Sequence, residues 1–156
     1  FSKSRSMAGA RLGFAIADKG LIEDLNRIKY STNPYNINRL TMAAAQAAVE
    51  ENEYYIEKCR EIQKPRQYTQ EQLESLDFEV IPSLANFVFA KSRRIGGENL
   101  YLQLKERGVL VRHFQTEKIK DYNRITIGTK EEMDILLDKI REILKEQERG
   151  KGNAGQ

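Results

Sequence analysis

Phe78-Glu79-Val80-Ile81-Pro82-Ser83-Leu84-Ala85-Asn86-Phe87-Val88-Phe89-Ala90 reads as two short strands, 78–81 and 85–90, parted by Pro82-Ser83. Just upstream, residues 69–76 read as a helix. Downstream, residues 98–107 form another, ended by Gly108 at the position where a left-handed residue is wanted. Residues 109–112 and 124–127 are two further apolar strands. Thr129 then caps a last helix whose first turn carries Glu131-Glu132, so acidic side chains sit at its positive end. In that helix Met133, Leu136, Leu137, Ile140, Ile143 and Leu144 recur at spacings of three and four, one buried stripe. The order helix, strand, strand, helix, strand, strand, helix predicts a small α+β domain with its helices on one face of a sheet.

The sequence before this domain has a different character. Residues 11–18, Arg-Leu-Gly-Phe-Ala-Ile-Ala-Asp, read as a buried strand. Asp18-Lys19-Gly20 makes a turn, 21–28 a short helix, and Ser31-Thr32-Asn33-Pro34-Tyr35-Asn36 a loop. Residues 38–62 hold no Gly or Pro and are alanine-rich, then charged, which predicts one helix about 35 Å long. Pro65 interrupts it. The expected division is 1–35, a remnant of another domain; 36–62, the long connecting helix; 63–148, the small domain; and 149–156, a disordered glycine-rich tail.

Composition narrows the function classes. The 156 residues are 40% hydrophobic and 31% charged, as in a soluble globular protein. The net charge of +3 is small against 26 basic and 23 acidic residues, interspersed, so no electrostatic case for nucleic acid arises. Cys59 is the only cysteine, which excludes an internal disulfide and a cysteine-based metal site; no metal is expected, and a cytoplasmic setting is the default. No apolar run approaches the roughly 20 residues a membrane span needs, so no membrane partner is expected.

One stretch has covalent potential. In Phe1-Ser2-Lys3-Ser4-Arg5-Ser6-Met7-Ala8-Gly9-Ala10-Arg11-Leu12-Gly13, a lysine amine stands in a small-residue loop and can form an imine with an aldehyde. Arg11, between Gly9 and Gly13, offers a planar fork to a phosphate, and the nearby serine hydroxyls add contacts. By residue type alone, Lys3 reads first as a solvated charge, and Arg112 and Arg124 first as surface charges at strand ends. His113 is more simply a half-exposed structural histidine, and Asn86 a backbone partner at a strand start.

Ser-Lys followed by small residues and Ala-Gly-x-Arg-x-Gly resembles the signature of fold-type I aminotransferases dependent on pyridoxal phosphate (PLP). Later segments resemble the histidinol-phosphate branch in the same order. These are Pro34-Tyr35-Asn36-Ile37-Asn38, Pro82-Ser83-Leu84-Ala85-Asn86-Phe87, Gly108-Val109-Leu110-Val111-Arg112-His113-Phe114 and Arg124-Ile125-Thr126-Ile127-Gly128-Thr129. The resemblance runs from Phe1 to about Glu146.

It implies a C-terminal part of such an enzyme: the small domain, the long helix before it, and a remnant of the cofactor domain. Lys3 is then the covalent anchor for PLP and the catalytic acid and base. Ser2 and Arg11 hold the cofactor phosphate. Arg112, Arg124 and Asn86 bind anionic substrates, glutamate and a phosphorylated amino alcohol. The implied reaction is transamination between histidinol phosphate and 2-oxoglutarate in histidine biosynthesis. Because the family's ring-stacking aromatic and its partner for the pyridine nitrogen lie upstream of the lysine, the 156 residues alone are expected to be inactive and to lack a full cofactor site. The alternatives are a related enzyme acting on aromatic or phosphorylated amino acids, and a non-catalytic folding module. Apolar surface on 11–18 and on the long helix calls for a partner, most simply a second copy.

Overall fold

Amphipathic patterning and capping set the elements of this chain, whose computed structural model describes residues 1–153. Six helices and four strands follow one another: α1 (Lys19–Thr32), α2 (Arg39–Glu50), α3 (Asn52–Glu61), α4 (Gln63–Ser75), β1 (Phe78–Ile81), β2 (Phe87–Ser92), α5 (Gly97–Glu106), β3 (Arg112–His113), β4 (Tyr122–Thr126) and α6 (Lys130–Asn153). They fall into two units, Phe1–Cys59 and a second beginning at Arg60, so the join lies inside α3.

In the second unit the strands form one antiparallel sheet in the order β1-β2-β4-β3. α4 packs on β1 and β2, α5 on β3 and β4, and α6 against both helices. The sheet side chains turned toward them are the buried ones, Phe78 on β1, Val88 and Ala90 on β2, and Ile125 on β4. Along α6 the whole expected stripe is buried, with Leu137, Ile140 and Ile143 fully enclosed. Each such side chain contributes about 1.5–3 kcal/mol relative to exposure. The predicted α+β architecture, with helices on one face of a small sheet, is the one observed.

Local signals end these elements where expected. Past α5, Gly108 has φ +78°; its N–H donates to Lys105 O and that of Val109 to Leu104 O, a Schellman closure. Before α6, the Glu132 N–H donates to Thr129 Oγ1 at 3.3 Å and the Thr129 N–H to the Glu132 carboxylate at 2.8 Å, a reciprocal capping box.

Other expectations need correction. Residues 11–18 are not a strand: among the described residues the segment has no ladder partner, and Phe14 and Ile16 are 74% and 88% exposed. A strand exists only through its neighbours' hydrogen bonds, and the described residues of this unit offer none. Ser31 and Thr32, expected in a loop, end α1 instead, each hydroxyl donating to the carbonyl four residues back. The expected single helix over 38–62 is interrupted at Glu51, whose ψ is +33°. Like charges crowd Glu50, Glu51 and Glu53 there, and Asn52 is engaged by the Arg5 guanidinium. Pro65 does not separate helices: it occupies the first turn of α4, where its missing N–H is harmless. β3 is displaced to Arg112–His113, leaving 109–111 outside the ladder. Of the tail expected over 149–156, α6 runs on through Asn153, and 154–156 lie outside the described residues.

Candidate functional site

Two clusters hold the residues singled out by sequence, one in each unit. In the first, the chain wraps on itself: the N–H groups of Arg5 and Met7 donate to Phe1 O, and that of Ser6 to Lys3 O. A single 3-10 turn, Ala8–Ala10, leads to Arg11, which takes left-handed dihedrals (φ 53°, ψ 39°). Ser6 is left-handed too, with φ 54°. For L-residues each such conformation costs about 1–2 kcal/mol, an expense that clusters where a loop is held for function. Arg5 is occupied, bonded to Asn52 and with its guanidinium 5.1 Å from the Tyr55 ring centre. Arg11 is exposed and bonds its own loop, at Ala8 O. The Lys3 amine is exposed and Ser2 half-buried.

The second cluster lies on the sheet face that α4, α5 and α6 leave bare. Strand alternation and register assign its members: Glu79 and Ile81 on β1, Phe87, Phe89 and Lys91 on β2, Tyr122, Arg124 and Thr126 on β4, and Arg112 on β3. Arg112 stands directly opposite Arg124, and Arg124 opposite Phe89. Like charges facing each other across a ladder are unfavourable. Among the described residues neither guanidinium is ion-paired with a carboxylate, and both are exposed.

One row along, Glu79 accepts hydrogen bonds from Tyr122 Oη and from Lys91 Nζ, the latter at 3.1 Å. The Tyr122 bond, with Lys91 second, holds the Glu79 carboxyl below the usual range, while Glu79 pushes Tyr122 and Lys91 up. The Tyr122 ring stacks on Phe89 at 4.8 Å, and Phe89 meets Phe114 edge-on at 6.0 Å.

Asn86, half-buried, precedes β2, and its carbonyl accepts the Ile127 N–H at 2.9 Å. His113 belongs to the opposite, helix-covered face and stacks on Tyr101 of α5. Sequence reasoning thus found both arginines but missed Phe87, Phe89, Phe114, Tyr122, Glu79 and Lys91. Spacing carried the missing signal: Phe114 follows Arg112 by two, and Tyr122 precedes Arg124 by two.

Comparisons with known proteins identify the family and the fold. Residues 1–140 match the family model for aminotransferase class I and II. The histidinol-phosphate aminotransferase of Clostridium beijerinckii is 51% identical over 143 residues, 92% of this chain and 40% of that protein. The crystal structure of the histidinol-phosphate aminotransferase from Clostridium acetobutylicum superposes with a TM-score of 0.79 at 26% identity, covering 90% of this chain and 43% of that one. The enzyme from Sinorhizobium meliloti, solved in complex with pyridoxal-5'-phosphate, shares the fold with a TM-score of 0.76 at 24% identity, over 94% of this chain and 40% of that one. The chain spans about 40% of the length of the curated relatives it matches. It belongs to the class I and II aminotransferase family.

Proposed function

We propose that this chain is the lysine-bearing and substrate-binding part of a PLP-dependent aminotransferase acting on histidinol phosphate and 2-oxoglutarate, in the cytoplasm, within histidine biosynthesis. The observation that carries the reading is the pair Arg112 and Arg124, set opposite each other on the bare sheet face with neither ion-paired to a carboxylate among the described residues. A fold keeps so unfavourable a pairing where an anionic ligand completes it. Planar guanidinium forks suit both the carboxylate of glutamate and the phosphate of histidinol phosphate. The name carried by relatives such as the Clostridium beijerinckii enzyme supports the same substrate.

The donors in the first unit fit the cofactor chemically. Ser2 and Arg11 offer a hydroxyl and a guanidinium for a phosphate, and Lys3 offers a primary amine for an aldehyde. When bound, PLP supplies the electron sink for the reaction. With the cofactor in place, the Lys3 amine would serve as the base that accepts the proton leaving the substrate α-carbon and as the acid that delivers a proton in the following step. Arg112 and Arg124 fix the substrate's anionic ends, with Asn86 contributing from the start of β2, so that the transferring bond is held in place. Exposed apolar residues on α1 and α2, among them Leu21, Leu25, Ile28, Leu40 and Val49, support pairing with a second copy.

With Lys3 exposed and residues 11–18 unpaired, the 156 residues alone are not expected to transaminate. The test mixes the chain with PLP, reduces with borohydride and maps the labelled lysines. Label confined to Lys3 supports the assignment, whereas scattered or absent label means that these residues form no cofactor site by themselves and favours the non-catalytic folding module. Measurable transfer from glutamate by these residues alone overturns the expectation of inactivity.

A further inference from the structure

Among the described residues the two arginines have no carboxylate partner, yet neither is unsupported. The Arg112 guanidinium carbon lies 5.5 Å from the Phe114 ring centre, and that of Arg124 lies 5.5 Å from the Phe87 ring centre. At that range an aromatic face attracts the cation while donating no negative charge. A carboxylate in the same place would occupy the forked N–H groups and neutralise them. The one carboxylate among the strand residues of this face, Glu79, is committed elsewhere, to Tyr122 and Lys91. The same bonds fix the Tyr122 ring, which stacks on Phe89, which in turn abuts Phe114 beneath Arg112.

We propose that Phe87 and Phe114 are positioning residues for the two guanidiniums, holding Arg124 and Arg112 against aromatic faces so that their hydrogen-bonding forks stay free for an anion. The contacts run from Glu79 through Tyr122, Phe89 and Phe114 to Arg112, with Phe87 acting separately on Arg124. This rests on the reading of Arg112 and Arg124 as an anion clamp.

The test titrates the 156-residue chain with inorganic phosphate, following the guanidinium N–H signals by NMR. Wild type binds phosphate, and R112Q or R124Q removes most of that binding. Phe114→Leu and Phe87→Leu, which keep bulk but lose the aromatic face, each weaken phosphate binding by about two- to fivefold. Phe114→Tyr and Phe87→Tyr, which keep it, restore wild-type affinity. Leucine variants that bind as wild type does, or losses that tyrosine does not repair, overturn the positioning role alone. Absence of phosphate binding by wild type overturns the clamp itself and the positioning role with it. A measurement on wild type guards against variants that fail to fold: ring currents shift the side-chain CH₂ protons of Arg112 and Arg124 upfield. Unshifted protons overturn the proposal.

Discussion

A methyl group placed on Gly97 would stand 2.6 Å from the carbonyl carbon of Asp121, closer than real side chains approach. The first turn of α5 therefore lies directly on the backbone leading into β4. Asn123, fully buried, fixes the contact by donating from Nδ2 to Gly97 O at 2.9 Å. Gly97→Ala must push α5 away from β4 and is expected to destabilise the second unit by about 1–3 kcal/mol. Gly96→Ala is the control: no atom lies within 4 Å of its Cβ position and its φ of −64° suits alanine. Urea midpoints of the two variants against wild type check the difference.

Thr129 and Glu132 close the start of α6 reciprocally, and Thr129 also helps hold the neighbouring Glu131 carboxyl low, after Glu131's own backbone N–H. α6 carries six of the buried hydrophobic residues of the core, so fraying at its first turn loosens the unit beyond the cap itself. Thr129→Ala is expected to cost about 1 kcal/mol, and Thr129→Ser much less, since serine keeps the acceptor oxygen. Thermal unfolding of the two variants separates these outcomes.

The same short-range logic explains what was legible in the sequence. The α6 stripe, the Gly108 closure, the Thr129 cap and β1 all depend on neighbours within a few residues or on a core the chain itself supplies. Residues 11–18 carry as strong an apolar signal as β1, but a strand needs hydrogen-bonding partners, and sequence alone does not say whether they are present. Arg112 and Arg124 were recognisable as candidates, whereas their opposition was not, because register is a property of the assembled ladder. For the same reason Phe87 and Glu79 carried no local mark: each acts across strands.

Glu79 and Asp134 give the second unit an acid-side dependence. Tyr122 and then Lys91 depress the Glu79 carboxyl from its ordinary 4.5; Lys130 and then Tyr68 depress that of Asp134 from 3.8. A carboxyl depressed by folding binds fewer protons in the folded state, so its contribution is complete above the ordinary range and is lost as pH falls below it. Urea midpoints are therefore expected to drop on acidification from about pH 5 downward, and to drop less steeply in Glu79→Gln. Raised Lys91 and Tyr122 work with the opposite sign, their contribution fading only above their ordinary values of 10.5 and 10.0. An acid limb with equal slope in wild type and Glu79→Gln would show that Tyr122 and Lys91 do not stabilise the charged form.

Ile16 and Ile140 have the same side chain in opposite surroundings, 88% exposed in the first unit and fully enclosed in the second. Hydrophobicity alone makes their loss equivalent; burial does not. Ile140 touches the core formed by α4, α5, α6 and the sheet, so Ile140→Ala removes both transfer energy and contacts and is expected to cost about 2–5 kcal/mol. Ile16→Ser removes almost no buried area and should change stability by no more than about 0.5 kcal/mol, while lowering self-association of the chain through its exposed apolar segment. Denaturant unfolding measures the first quantity and sedimentation the second. A substantial loss of stability in Ile16→Ser would mean that residues 11–18 are packed in solution, as the strand reading of their sequence anticipated.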